Sequence, residues 1–179
     1  MKVRLPLLVI GFLLAVLFSA CTTPPQKIKL PDADFPIPDM VLPGVVIFQA
    51  FPQEVSNPVP ASKIASLVIR GQARLENPAN LTIEFYASAQ DPAELGCQPV
   101  PDTEALLVCD PNTSGIEKVG KVEFKNSAGP EPLLLKGNIL ARAANKGTIY
   151  FGISISGVPQ KNHIYLENME AIVMLRLGF

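Results

Sequence analysis

The sequence predicts an all-β fold, an antiparallel β-sandwich of about eight strands, and three observations carry that expectation. Apolar and polar residues alternate with a period of two after Gly44. Clusters of Pro, Asn, Asp, Ser and Gly separate the alternating runs. No stripe of helical period interrupts them. In "LTIEFYASA", Leu81, Ile83, Phe85 and Ala87 share one face, against Thr82, Glu84, Tyr86 and Ser88. "GTIYFGISIS" sets Ile149, Phe151, Ile153 and Ile155 against Thr148, Tyr150, Ser154 and Ser156. "SLVIRGQARLE" sets Leu67, Ile69, Ala73 and Leu75 against Arg70, Gln72 and Arg74.

Weaker runs follow at 45–51, 104–109, 117–125, 132–142 and 163–178. Turn chemistry divides them at "ENPAN" (76–80), "DPNTSG" (110–115), "NSAGPEP" (126–132) and "ANKG" (144–147). The 136 residues from Gly44 to Phe179 are enough for one core. Short antiparallel strands in this number suit an immunoglobulin-like or jelly-roll-like sandwich.

The register sorts the aromatic residues. Phe85, Phe124 and Phe151 fall on the aliphatic faces, while Tyr86, Tyr150 and Tyr165 fall on the polar ones. Outward tyrosines form either a ligand-recognition face or ordinary exposed cross-strand pairs.

The chain of 179 residues has 18 Pro, no Trp, one His and three Cys, and 17% of its residues are charged. "MKVR" supplies two cations, and "LPLLVIGFLLAVLF" follows as an apolar run before Ser19, Ala20 and Cys21. A positive start, an apolar middle and small residues at the end describe a secretory signal over residues 1–20. "FSAC" at 18–21 resembles the lipobox of bacterial lipoproteins, with Phe18 where an aliphatic residue is usual. That resemblance covers the first 21 residues only. It implies cleavage before Cys21, lipid attachment to it, and a cell-envelope location facing the periplasm or the cell surface. Thr22 is not the Asp that retains some such proteins at the inner membrane, which favours an outer membrane where the host has one. Without residues 1–20 the chain keeps 13 basic and 16 acidic side chains, a net −3. That balance gives no electrostatic footprint for nucleic acid.

Six prolines crowd "TTPPQKIKLPDADFPIPDMVLPG", so residues 21–43 read as a lipid-anchored tether ahead of a domain at 44–179. Extended polyproline at ~3.1 Å per residue would reach on the order of 60–70 Å. The alternative is that Phe35, Ile37, Met40 and Val41 pack along the domain as an edge segment.

With Cys21 assigned to lipid, Cys97 and Cys109 form the expected disulfide of an exported chain. They lack CxxC spacing, and His163 is the only histidine, so no metal or cofactor site is expected. "DPNTSGIEKVGK" begins like a calcium loop but holds Lys121 where a bidentate Glu belongs. "GISIS" lacks the last glycine of a nucleophile elbow. His163, Tyr165 and Glu167 share one strand face with Glu170 nearby, the one place where acid–base chemistry is conceivable. "AIVMLRLGF" alternates like the last strand of an outer-membrane barrel, although aromatic girdles are missing.

The expected function is a non-catalytic binding or structural module, anchored to a membrane by lipid, whose partner is an envelope protein, a glycan or a small ligand. A small outer-membrane barrel is the second reading, and a hydrolase using His163 the third.

Overall fold

The computed structural model describes residues 24–37, 44–50, 52–54, 62–101, 105–157 and 161–177. The signal segment, Cys21 and Phe179 lie outside the described residues. In chain order the strands are β1 (Gln26–Lys29), β2 (Ala33–Ile37), β3 (Val46–Gln49), β4 (Gln53–Glu54), β5 (Ser62–Leu75) and β6 (Ala79–Ser88). They continue with β7 (Gln98–Pro99), β8 (Leu106–Cys109), β9 (Ile116–Ser127) and β10 (Glu131–Lys136). A helix, α1 (Asn138–Lys146), precedes β11 (Thr148–Gly157) and β12 (Asn162–Leu177).

Two antiparallel sheets form a sandwich and do not close into a barrel. In the first, β5 lies between β10 and β12, and the far edge of β12 is shared by β2 and β1. The second runs β7-β8-β3-β11-β6-β9, with the short β4 also on β11. The alternating faces meet between the sheets, where Leu75, Ile83, Phe124, Leu140, Ile164 and Leu175 are almost wholly buried. Ala171, Val173 and Leu175 face this interior, so the alternation near the chain end marks a core strand and not a lipid-facing one.

Each of the eight alternating runs contains a strand, with two departures. The run at 132–142 splits after Lys136, and residues 138–146 form α1. Ile139, Leu140, Ala143 and Ala144 are buried on one side of it. "ANKG" is the turn that ends this helix, with Gly147 at φ 83° as its left-handed cap. The helix touches β5 of one sheet and β6, β9 and β11 of the other, filling the gap between them.

The second departure concerns residues 21–43. Gln26–Lys29 pair with Glu170–Val173, and Ala33–Ile37 pair with Asn162–Leu166. Phe35 and Ile37 therefore lie in an edge strand of the sandwich, which also takes in residues 26–29 ahead of the expected start at 44, while Met40 and Val41 lie outside the described residues. Pro36 fits because β2 pairs on one side only, which leaves its missing donor without consequence.

The β5–β12 ladder is interrupted between Glu167 and Glu170 by a bulge, where Asn168 adopts φ 55°. Gly71 lies opposite it. A Cβ there would collide with Met169 Sδ and come within 2.9 Å of the Glu167 carbonyl oxygen, so the bulge requires a glycine across from it.

Two asparagines complete the backbone pairing. Asn145 of α1 accepts from Ile64 N and donates to Ile64 O, each at 2.8 Å. Buried Asn162 does the same for Asn77, at 3.1 and 2.9 Å. Asn145→Ala should therefore cost about 1–3 kcal/mol, because it strands two backbone groups at once. Urea unfolding measures this, and an unchanged midpoint would show that water replaces both bonds.

Candidate functional site

A contiguous set of interacting polar side chains lies on the outer face of the first sheet, across β2, β12 and β5. Register builds it. Tyr165 of β12 stands opposite Asp34 of β2 on one side and Arg74 of β5 on the other. Strand alternation brings His163 and Glu167 to the same face, as the sequence indicates. Asp34 Oδ2 is 2.7 Å from His163 Nε2. The His163 ring lies 5.1 Å from that of Tyr165, tilted by 35°. The Arg74 guanidinium sits over the Tyr165 ring, with Cζ 4.4 Å from its centre. Arg74 also donates from Nε and Nη2 to Glu167 Oε1, at 3.2 and 2.9 Å. Glu170, beyond the bulge, accepts from Arg70 Nε at 2.7 Å.

This row is open to water, and its ion pairs are of the surface kind that add little to stability. It presents a stacked ring and guanidinium beside an imidazole held by a carboxylate, a flat arrangement suited to stacking and hydrogen bonding. Among the described residues, the His163 ring bonds to Asp34, while its backbone N–H donates to Asn162 and its carbonyl accepts from Glu76.

The three tyrosines do not share a surface. Tyr165 is on the first sheet, whereas Tyr86 and Tyr150 lie on the outer face of the second. There a small apolar cluster forms from Val46, Phe48, Leu107, Ile116, Cys97 and Cys109 around buried Tyr86, with Tyr150 and Leu95 against it. Gly152 leaves room for the Phe48 ring, which would lie 2.8 Å from a Cβ at that position. The segment 91–97 covers the cluster. It is shaped by Asp91 Oδ1 accepting from Ala93 N, and by Pro92 O accepting from Leu95 N and Cys97 N.

The Cys97–Cys109 disulfide fastens that segment to the end of β8, as the cysteine count indicates. The polar-face position of Tyr86 is therefore not a free recognition surface, because the loop that follows its own strand folds back over it.

Only the rim of Tyr86 stays polar. Its hydroxyl donates to Glu84 Oε2 at 2.9 Å, and Lys118 binds the other carboxylate oxygen. The Lys118 ammonium holds the Glu84 carboxyl below its usual range, against an opposing effect of burial. Burial, then the bond to Glu84, then its charge raise the Tyr86 phenol from its ordinary value of about 10 to about 12. Burial, with Asp91 and Glu94 nearby, raises Tyr150 as well.

The calcium-like stretch is a turn. Asp110 Oδ1 accepts from Asn112 N at 2.7 Å and from Asn112 Nδ2 at 3.1 Å. Lys121 pairs with Glu123 on β9. The turn joins β8 to β9, which are not partners in the sheet. Ser154 and Ser156 lie within β11, opposite Glu84 and Thr82. Asp34 and Arg74 are the members of the first-sheet row that spacing along one strand did not reveal. Their signal is cross-strand register, which the sequence of β12 alone does not contain. No family model matches the sequence, and no curated protein matches it.

Two outcomes are expected. Tyr86→Phe should abolish the phenolate absorbance that develops near pH 12. A folded pKa above the unfolded one stabilises the fold below about pH 10, and that contribution is lost as pH rises towards 12. A late signal that persists in Tyr86→Phe would assign it to another phenol. Replacing Cys97 and Cys109 together by Ala should cost about 3 kcal/mol, since the bond closes a short loop. Denaturant unfolding of wild type and variant compares the two.

Proposed function

We propose that this protein is a lipid-anchored component of the bacterial cell envelope, in the outer membrane where the host has one. It acts as a non-catalytic binding or structural module. The observation that carries this reading is the arrangement of cysteines. Cys97 and Cys109 form a disulfide, which suits an oxidising compartment, and Cys21 remains at the end of a signal-like segment. Several acyl chains on one cysteine hold a protein firmly, since each buried methylene contributes about 0.8 kcal/mol.

The surface that best suits a partner is the row from Asp34 through His163, Tyr165 and Arg74 to Glu167. Its stacked ring and guanidinium fit the flat face of a sugar or a planar side chain. The open setting of His163, with no nucleophile bonded to it among the described residues, supports binding over hydrolysis.

Fractionation of cells expressing Cys21→Ala tests the anchor. The variant should leave the membrane fraction, or accumulate with its signal uncut, while the wild type stays with membranes and carries acyl mass on Cys21. A wild-type chain whose Cys21 bears no acyl group would sink the reading.

A further inference from the structure

The charge on the first sheet is sorted along β12. From Glu170 to Arg176, the outward positions of β12 and their register partners on β1, β5 and β10 bring together Lys27, Lys29, Lys63, Arg70, Lys136 and Arg176. The one carboxylate among these positions is Glu170, which is committed to Arg70. None of the other five cations has an ion-pair partner among the described residues. Apolar side chains lie between them. Val68 stands opposite Ile172, both half-buried, and Leu134 is 48% exposed beside Arg70. Beyond the bulge the balance reverses, with Asp34, Glu76 and Glu167 around Arg74. A chain of net negative charge thus gathers six of its thirteen mature cations on half of one sheet face.

The same half is where the chain enters the sheet. β1 runs antiparallel to β12 with Gln26 opposite Val173, so the chain before it leads towards the Lys63–Arg176 end. Residues 22–25 alone separate Cys21 from β1, a span of about 16 Å at ~3.1 Å per residue. Charges on this face therefore come within about two screening lengths of the headgroups.

We infer that the half-face bearing Lys27, Lys29, Lys63, Arg70, Lys136 and Arg176 lies against an anionic lipid surface, the surface of the membrane that holds Cys21. The inference rests on the lipid-anchor reading. Basic side chains supply attraction to anionic headgroups, and the intervening Val68, Ile172 and Leu134 lose contact with water there. The bulge divides the sheet face, so the acidic half with its Tyr165–Arg74 row lies at the end of the sheet farther from the anchor.

The test uses the full lipidated chain reconstituted into vesicles. One set is phosphatidylglycerol and phosphatidylcholine in roughly equal parts, the other phosphatidylcholine alone. A limiting amine-reactive reagent is added, and each lysine is read by mass spectrometry. Lys27, Lys29, Lys63 and Lys136 should label at least about threefold more slowly on the anionic vesicles. Lys118, Lys121 and Lys125 on the second sheet should not change. The difference should vanish in about 1 M salt, where the screening length falls to ~3 Å.

The combined variant Lys27→Glu, Lys29→Glu, Lys136→Glu keeps exposed positions and should leave Lys63 equally reactive on both vesicles. Equal labelling of the wild type on both vesicles overturns the inference while leaving the anchor intact. Protection on neutral vesicles that grows with protein density assigns the face to a second copy, and also overturns it. A chain that lacks acyl mass on Cys21 and does not float with vesicles removes the anchor and the inference together.

Discussion

The pairing of β5 with β12 is the constraint on which the first sheet depends. It runs from Ile164 opposite Leu75 to Leu177 opposite Ser62, and every other strand of that sheet attaches to one of these two. Because side chains alternate, one shift of register would turn Ile69, Leu75, Ile164 and Val173 out of the core together. The bulge at Glu167–Glu170 inserts one extra residue without that inversion, since Leu166 and Ala171 both still face inward. It also returns Glu170 to the outer face alongside Glu167, which lets each carboxylate meet an arginine of β5. Gly71 opposite the bulge makes the close approach feasible.

The second sheet is covered differently on its two faces. Its inner face meets the first sheet and α1, and part of its outer face lies under the segment that ends at Cys97. The outer cluster is small, so cross-linking carries what apolar area alone does not. Tyr86 sits at the boundary between that cluster and the polar surface. Its ring packs among Phe48 and the cysteines while its hydroxyl reaches Glu84. That placement explains why a residue on a polar register position is nonetheless buried.

The eight alternating runs were legible because a period of two is a local property that burial on one face imposes directly. The helix was less so. "NILARAANK" has its apolar residues at 139, 140, 143 and 144, a helical stripe of only two turns, and Gly137 gives no side-chain cap to announce its start. β1 and β2 were hidden by proline content, which argues against a central strand but is tolerated on an edge. The faces of the tyrosines followed correctly from alternation, but alternation does not report what lies over or beside a face. The same limit applies to the row around Tyr165. Its β12 members are visible as alternate residues of "HIYLE", whereas Asp34 and Arg74 arrive through pairing partners about 130 and 90 positions away.

The attachment of β1 and β2 to β12 also bears on how the chain reaches its folded state. Gln26 and Val173 are partners 147 positions apart, and β5, although formed much earlier in the chain, finds its main partner in β12 as well. A polypeptide that emerges amino end first would therefore hold β1, β2 and one edge of β5 unpaired until β12 follows. Long-range closures of this kind slow folding, and unpaired strand edges invite association with other chains. Successive connections that switch sheets, from β5 to β6, β9 to β10 and β11 to β12, deepen the dependence on late segments. Until β12 arrives, those open edges would thus make the chain a client for factors that hold unpaired strands apart.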